Sequence, residues 1–165
     1  MHEFETENLI IRLINNKDRA SFNKLYTDPK IMKNIAEPLT FEFSDRMFEA
    51  TLVKYSKKNF EMMIWAIYSK SEHKFLGIES LNFQYYQEGE AEAGLILDRL
   101  SHGKGNAVEA LVGLIEYGFN HLSIQTIYAK CSLKNYAPQR VLRLSGFKKL
   151  VINDDDNLTY SVQKK

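Results

Sequence analysis

The chain has 165 residues, and its 22 Lys and Arg against 21 Asp and Glu give a formal net charge of +1 at pH 7. This length predicts one domain, residues 1–165, that buries roughly two-thirds of its unfolded surface. The balanced charge excludes the strongly basic surface typical of nucleic-acid-binding proteins. No apolar run approaches the roughly 20 residues that span a membrane. With an acidic start that is not a signal peptide, we expect a soluble cytoplasmic protein.

The first half of the chain alternates between strand-like and helix-like patterns. Apolar runs predict strands at residues 9–14, 62–69, 75–83 and 91–97. Asn15 or Asn16 is expected to cap a helix that Pro29 ends, and Ser44 to cap a second helix. Because only short turns separate the last three strands, they predict an antiparallel meander.

The second half begins with a long helix. Residues 105–121 are apolar around most of the helix circumference, as expected for a helix packed on a sheet. A strand at 126–132, a helix from Pro138 to Gly146 and a hairpin of 147–152 with 158–162 complete the chain. The lone Cys131 is interpreted as a buried strand residue. The Asp154–Asp156 run fits a hairpin turn better than a cation site, and no metal is expected.

A glycine turn precedes the long helix. Gly103 and Gly105 would leave backbone N–H groups bare of side chains at the helix start, where the helix dipole favours an anion. The P-loop motif fails because Asn106 follows Gly105 where that motif has Lys. The dinucleotide fingerprint fails because Val108 replaces its third glycine and because the loop after Leu97 is too long. Coenzyme A, whose pyrophosphate needs the same donors, is the remaining candidate ligand.

Three segments carry a family resemblance. Residues 91–98 (AEAGLILD) lead to residues 103–110 (GKGNAVEA), residues 135–147 read NYAPQRVLRLSGF, and residues 5–12 read ETENLIIR. Together they resemble the GNAT N-acetyltransferase superfamily, and within it the branch of ribosomal-protein-alanine acetyltransferases. The resemblance implies an α+β (α/β/α) GNAT fold with a mixed, mostly antiparallel central sheet of about seven strands flanked by about four helices.

The same resemblance implies a reaction. An acetyl group would pass from acetyl-CoA to a primary amine by direct attack in a ternary complex, with no metal. The acceptor would be a protein N-terminus, a polyamine or another small amine, and the enzyme could be a homodimer. The residues implied in cofactor binding are Leu95, Ile96, Leu97, His102, Gly103, Lys104, Gly105, Asn106, Ala107 and Asn135. Backbone N–H groups of residues 95–97 would polarise the thioester.

Three positions depart from the family pattern. His102 stands where the superfamily has Gln or Arg, and this change is expected to matter little because backbone groups are the main donors. Pro138 replaces a serine implicated in stabilising the leaving thiolate, and Leu142 replaces a tyrosine acid. These two departures leave the general acid open. They also leave an alternative open, in which the chain is a non-catalytic acyl-CoA-binding sensor or partner module.

The proton chemistry has several candidates. At pH 7, deprotonation of a lysine-like amine requires roughly 4.6 kcal/mol, against roughly 1.1 kcal/mol for an α-amine. A chain with no obvious strong base is thus easier to reconcile with an α-amine acceptor. Glu92 is the first candidate base, while Glu79 and Glu37 are weaker ones. Tyr136 is a candidate donor to the departing thiolate.

Overall fold

The computed structural model describes residues 2–152 and 155–165. The strands are β1 (Glu3–Glu5), β2 (Leu9–Leu13), β3 (Met62–Ser69), β4 (Phe75–Asn82), β5 (Glu90–Leu97), β6 (Thr126–Ser132), β7 (Lys148–Ile152) and β8 (Asn157–Gln163). The helices are α1 (Arg19–Thr27), α2 (Pro29–Met32), α3 (Phe41–Ser56), α4 (Asn106–His121) and α5 (Tyr136–Leu144). The turn predicted at residues 153–157 lies partly outside the described residues.

All the strands form one sheet in the order β1-β2-β3-β4-β5-β6-β8-β7. Neighbouring strands are antiparallel except β5 and β6, which are parallel. A parallel pair needs a crossover connection, and α4 supplies it. The α+β fold with a mixed, mostly antiparallel sheet is therefore confirmed. The described residues form one strand and one helix more than expected, because three-residue β1 and single-turn α2 are too short to leave a periodic signal.

The sheet carries helices on both faces. On one face, α4 and α5 pack over Trp65, Leu81 and Ile127 in the larger apolar core. On the other, Phe22 of α1 and Phe48 of α3 pack over Ile78 and its neighbours in a smaller core. The smaller core does not extend over β6 and β8, so this part of the sheet face stays open beside α2. The candidate site lies along that opening.

Several predicted helix boundaries were wrong. Ser44 lies inside α3, which Thr40 caps instead, accepting a hydrogen bond of 3.2 Å from the N–H of Phe43. The Ser44 hydroxyl donates to Asn23 Oδ1 of α1 at 2.6 Å, a contact between distant parts of the chain. The helix expected to start at Pro138 begins two residues earlier, at Tyr136.

Glu79 of β4 is an acid with no exposed surface in the middle of the sheet. Its neighbours across the strands are Trp65 of β3 and Leu95 of β5. Neither carboxyl oxygen has a hydrogen-bond partner among the described residues. Burial raises the pKa of Glu79 well above its ordinary value, because an unpaired carboxylate is strongly disfavoured away from water.

We expect Glu79→Gln to stabilise the protein increasingly as the pH rises. Below the ordinary glutamate pKa of about 4.5, Glu79 is protonated in both the folded and the unfolded chain. Above it, only the unfolded chain releases the proton freely, so wild type loses stability by up to about 1.4 kcal/mol per pH unit while the folded carboxyl stays protonated. Urea unfolding of both proteins at pH 5, 6 and 7 measures the growing difference. The exposed Glu72→Gln control should differ from wild type by a constant free energy of unfolding across this pH range. The same constant difference for Glu79→Gln would contradict the prediction.

Candidate active site

The start of α4 forms an open cradle of backbone groups. Gly105 caps the helix in the left-handed region at φ 78°, and Gly103 has φ 75°. A Cβ atom built on either glycine meets nothing within 4 Å, so the surface above them is open. No side-chain hydrogen bond caps the helix, and its first N–H groups are therefore available to an anion.

The loop before the cradle is fixed by short-range hydrogen bonds. Asp98 accepts from the N–H of Leu100 at 3.1 Å and forms an ion pair of 3.2 Å with Lys24 of α1. The Nε2–H of His102 donates to the carbonyl of Leu97 at 3.2 Å. His102 thus holds the turn between β5 and the cradle, which gives this departure from the family pattern a structural use.

A long cleft opens where β5 and β6 separate. The two strands pair only through Glu90–Glu92 and Thr126–Tyr128. Beyond this short ladder a cavity of about 870 Å³ lies between them, lined by residues 93–97 of β5, residues 129–130 of β6, the cradle and α5. Residues 94–97 pair with β4, and on the β6 side their backbone borders the cavity. This long cleft therefore exposes backbone hydrogen-bonding groups along one edge.

Most of the residues predicted to bind the cofactor line the long cleft. Those present are Leu95, Ile96, Leu97, His102, Gly103, Gly105, Asn106, Ala107 and Asn135, whereas Lys104 is exposed outside it. Pro138 and Leu142 also line it. The Asn135 side chain does not cap α5, so its amide is available to a ligand.

The charged groups around the long cleft are all basic among the described residues. They are Lys30 of α2, Arg99 before the cradle, Lys130 of β6 and Arg140 of α5. No carboxylate within residues 2–152 and 155–165 lines the cleft, so its field favours a ligand with several negative charges. The sequence did not point to these residues, because they come from four separate parts of the chain and no local motif joins them.

A side cavity of about 530 Å³ adjoins the long cleft on the α2 side of the sheet. The two share Gly94, Ile96, Asn135 and Pro138 in their linings, so they meet where β5 and β6 diverge. Cys131, which is half-buried rather than fully buried, lines the side cavity. The side cavity therefore offers a second ligand a place beside one bound in the long cleft.

Glu92 lies in the side cavity at the end of the β5–β6 ladder. The Tyr86 hydroxyl donates to Glu92 Oε2, and Lys130 Nζ lies 3.5 Å from the same oxygen. Burial and the nearby carboxylate raise the pKa of Tyr86, so this phenol stays a hydrogen-bond donor. No hydrogen bond to Glu92 Oε1 is found among the described residues, which leaves that oxygen for a ligand.

The other proton carriers proposed from the sequence lie away from both cavities. Glu79 is buried and lines neither cavity, and Glu37 is exposed on the loop after α2. Tyr136, at the start of α5, is 78% exposed and also lines neither. Tyr26 lines the side cavity, and burial raises the pKa of its phenol to about 12. Among the sequence candidates, the geometry therefore favours Glu92 alone.

The described residues contain no group of three or more His, Cys, Asp or Glu side chains that could hold a metal ion. None of their helices is long and apolar enough to cross a membrane.

Comparisons with known proteins agree with this geometry. A family model described as an acetyltransferase (GNAT) domain matches residues 8–148. The chain is 26% identical over 144 residues to the uncharacterized N-acetyltransferase YnaD of Bacillus subtilis (strain 168), a match that covers 87% of this chain and 81% of YnaD.

Solved structures show the same fold. Spermidine N-acetyltransferase from Vibrio cholerae, in complex with CoA and spermine, has a TM-score of 0.83 and 17% identity, covering 94% of this chain and 95% of that one. The ribosomal L7/L12 α-N-protein acetyltransferase RimL, in complex with coenzyme A, has a TM-score of 0.79 and 16% identity, covering 96% and 95%. Since the family match spans most of the sequence, the chain belongs to the GNAT acetyltransferase family, with acetyl-CoA as its cosubstrate.

Proposed function

We propose that the protein transfers the acetyl group of acetyl-CoA directly to a primary amine while both substrates are bound, and that it does so in the cytoplasm. The observation that carries this proposal is the meeting of the long cleft and the side cavity at Gly94, Ile96, Asn135 and Pro138. Two ligands bound on either side of this junction can react without a covalent enzyme intermediate. Binding them together supplies much of the rate enhancement through proximity.

The lining of the long cleft suits each part of acetyl-CoA. The N–H groups at the start of α4 would bind the pyrophosphate, and Lys30, Arg99 and Arg140 would balance the phosphate charge. The exposed backbone edge of residues 95–97 and the amide of Asn135 would hydrogen-bond the extended arm of the cofactor. Acetyl-CoA supplies the thioester carbon that the amine attacks.

Glu92 would take the proton from the attacking amine. It lies in the side cavity, half-buried, with Tyr86 and Lys130 both contacting Oε2. Oε1 is then the oxygen that can accept a proton, either directly or through a water molecule. Because Tyr86 fixes the carboxylate by a hydrogen bond, its orientation is set before the amine arrives.

Gly105→Val should weaken CoA binding by roughly 10- to 100-fold, the loss expected for one charge-assisted hydrogen bond. The branched side chain would cover the cradle, and the left-handed backbone at φ 78° is strained for valine. Isothermal titration with CoA measures the effect.

Gly146→Val is the matched control for this backbone strain. Gly146 also has a left-handed φ, of 95°, and open space around it, but it does not line the long cleft. Both variants should lose about 1–3 kcal/mol of stability, while only Gly105→Val should lose CoA affinity. Equal CoA affinities for the two variants would contradict the cradle assignment.

Glu92→Gln should lower kcat by roughly 10²- to 10⁴-fold, the range for loss of a general base, and leave the affinity for CoA unchanged. Raising the pH should restore part of the activity, because more of the amine is then already deprotonated. Release of the CoA thiol measures the rates.

Glu90→Gln controls for the loss of a carboxylate from the same strand. Glu90 lies two residues away, accepts a hydrogen bond of 3.1 Å from Tyr128, and lines neither cavity. The activity of the Glu90→Gln enzyme should stay within a few-fold of wild type. A Glu92→Gln enzyme as active as Glu90→Gln would rule out Glu92 as the base.

A further inference from the structure

The charged lining of the side cavity consists of one opposite pair among the described residues. Glu92 and Lys130 face each other across the end of the β5–β6 ladder, with Oε2 and Nζ 3.5 Å apart. The Lys130 side chain is 49% exposed, which leaves it free to exchange partners. A ligand with one positive and one negative group can pair its cation with Glu92 and its anion with Lys130. The cavity then stays neutral, and neither residue is left without a partner.

We propose that the acceptor is a free α-amino acid with an apolar side chain, an inference that rests on the proposed acetyl transfer. Its amine binds at Glu92, and its carboxylate binds the ammonium of Lys130. A polyamine brings further positive charges, and the described lining holds no second carboxylate to receive them. A peptide N-terminus lacks the carboxylate beside its amine, so it leaves Lys130 without a new partner.

One wall of the side cavity is apolar and would select the side chain. Tyr26 of α1, Met32 of α2 and the exposed Ile35 line it, with Ile78 and Ile96 on the strands. The uncharged polar residues of the lining are Asn34, Ser80, Ser132, Asn135 and Asn157. The residues of the apolar wall bury apolar surface and provide no charge for a second ionic contact. A branched or straight aliphatic side chain therefore fits this wall better than a charged one.

Lys130 also helps the chemistry of such an acceptor. In a free amino acid the carboxylate stabilises the neighbouring ammonium and raises its pKa. When Lys130 pairs with that carboxylate, this stabilisation is lost and the pKa of the amine falls. Glu92 can then remove one proton, after which the neutral amine forms the N–C bond as the C–S bond breaks and CoA leaves as thiolate. The second amine proton passes through water to that thiolate, which gives the neutral amide and the CoA thiol. Lys130 thus both recognises the acceptor and favours its reactive form.

The test compares four amines with acetyl-CoA: leucine, leucinamide, leucyl-glycine and spermidine. CoA release gives kcat/KM for each, and titration of leucine into the CoA complex gives binding independently of turnover. Wild type should use leucine roughly ten-fold or more better than leucinamide, in line with one hydrogen bond to a charged group. Spermidine and the dipeptide should be poorer still.

Lys130→Gln should lower kcat/KM for leucine by roughly 10- to 100-fold more than it lowers that for leucinamide, because both amines depend on Glu92 beside Lys130 but only leucine has the carboxylate that Lys130 would bind. Lys130→Glu should reverse the preference toward leucinamide. Lys134→Gln is the matched control, because Lys134 is 84% exposed on the turn after β6 and lines neither cavity. The KM for acetyl-CoA, measured alongside, separates effects on the acceptor from effects on the long cleft.

The outcomes distinguish the two levels of the proposal. If leucinamide, the dipeptide or spermidine is acetylated at least as fast as leucine, the amino-acid inference is overturned, while the proposed acetyl transfer is supported. Equal losses for leucine and leucinamide in Lys130→Gln also overturn the amino-acid inference. Leucine binding without CoA release above hydrolysis supports the recognition of the amino acid and counts against the proposed transfer. If leucine neither binds to the CoA complex nor is acetylated, the amino-acid inference is overturned.

Discussion

The separation of β5 from β6 is the constraint on which the rest of the site depends. Parallel pairing stops after Glu92 and Tyr128, and the β6-facing backbone of residues 95–97 then borders a cavity. Buried backbone groups need partners, so an extended ligand with its own amide groups would complete the sheet there. The crossover helix α4 starts beside the same opening, and its uncapped N-terminus places the anion cradle at one end. The end of the β5–β6 ladder thus creates the cleft, and the N-terminus of α4 makes one end of that cleft favourable for an anion.

The two cavities differ in charge although they share lining residues. The long cleft is bordered by Lys30, Arg99, Lys130 and Arg140 without a carboxylate, whereas the side cavity pairs Glu92 with Lys130. A polyanionic cofactor is drawn to the first, and a neutral or zwitterionic acceptor suits the second. Lys130 belongs to both linings. In the proposed reaction its ammonium would therefore lie between the cofactor and the acceptor.

What the sequence could predict follows the range of the interactions involved. Strand β6 was predicted residue for residue, and the start of α4 to within one residue, because apolar periodicity and helix-start chemistry are local. Ser44 was mistaken for a cap because its real partner, Asn23, lies on another helix. The side cavity likewise escaped prediction, since α1, α2, β5 and β6 contribute to it from distant parts of the chain. Glu92 was identified only through its place before the cradle, and its contacts with Tyr86 and Lys130 needed the fold.

Pro138 and Leu142, which leave the general acid open, border the long cleft, and a site without a side-chain acid is compatible with turnover. A thiol has a pKa of about 8.5, so releasing CoA as thiolate at pH 7 requires only about 2 kcal/mol beyond release as thiol. Water can protonate such a leaving group after it departs. Removing a proton from the amine, in contrast, must come before or with the attack. In the proposed mechanism Glu92 performs that step, and Tyr86 and Lys130 both contact its carboxylate.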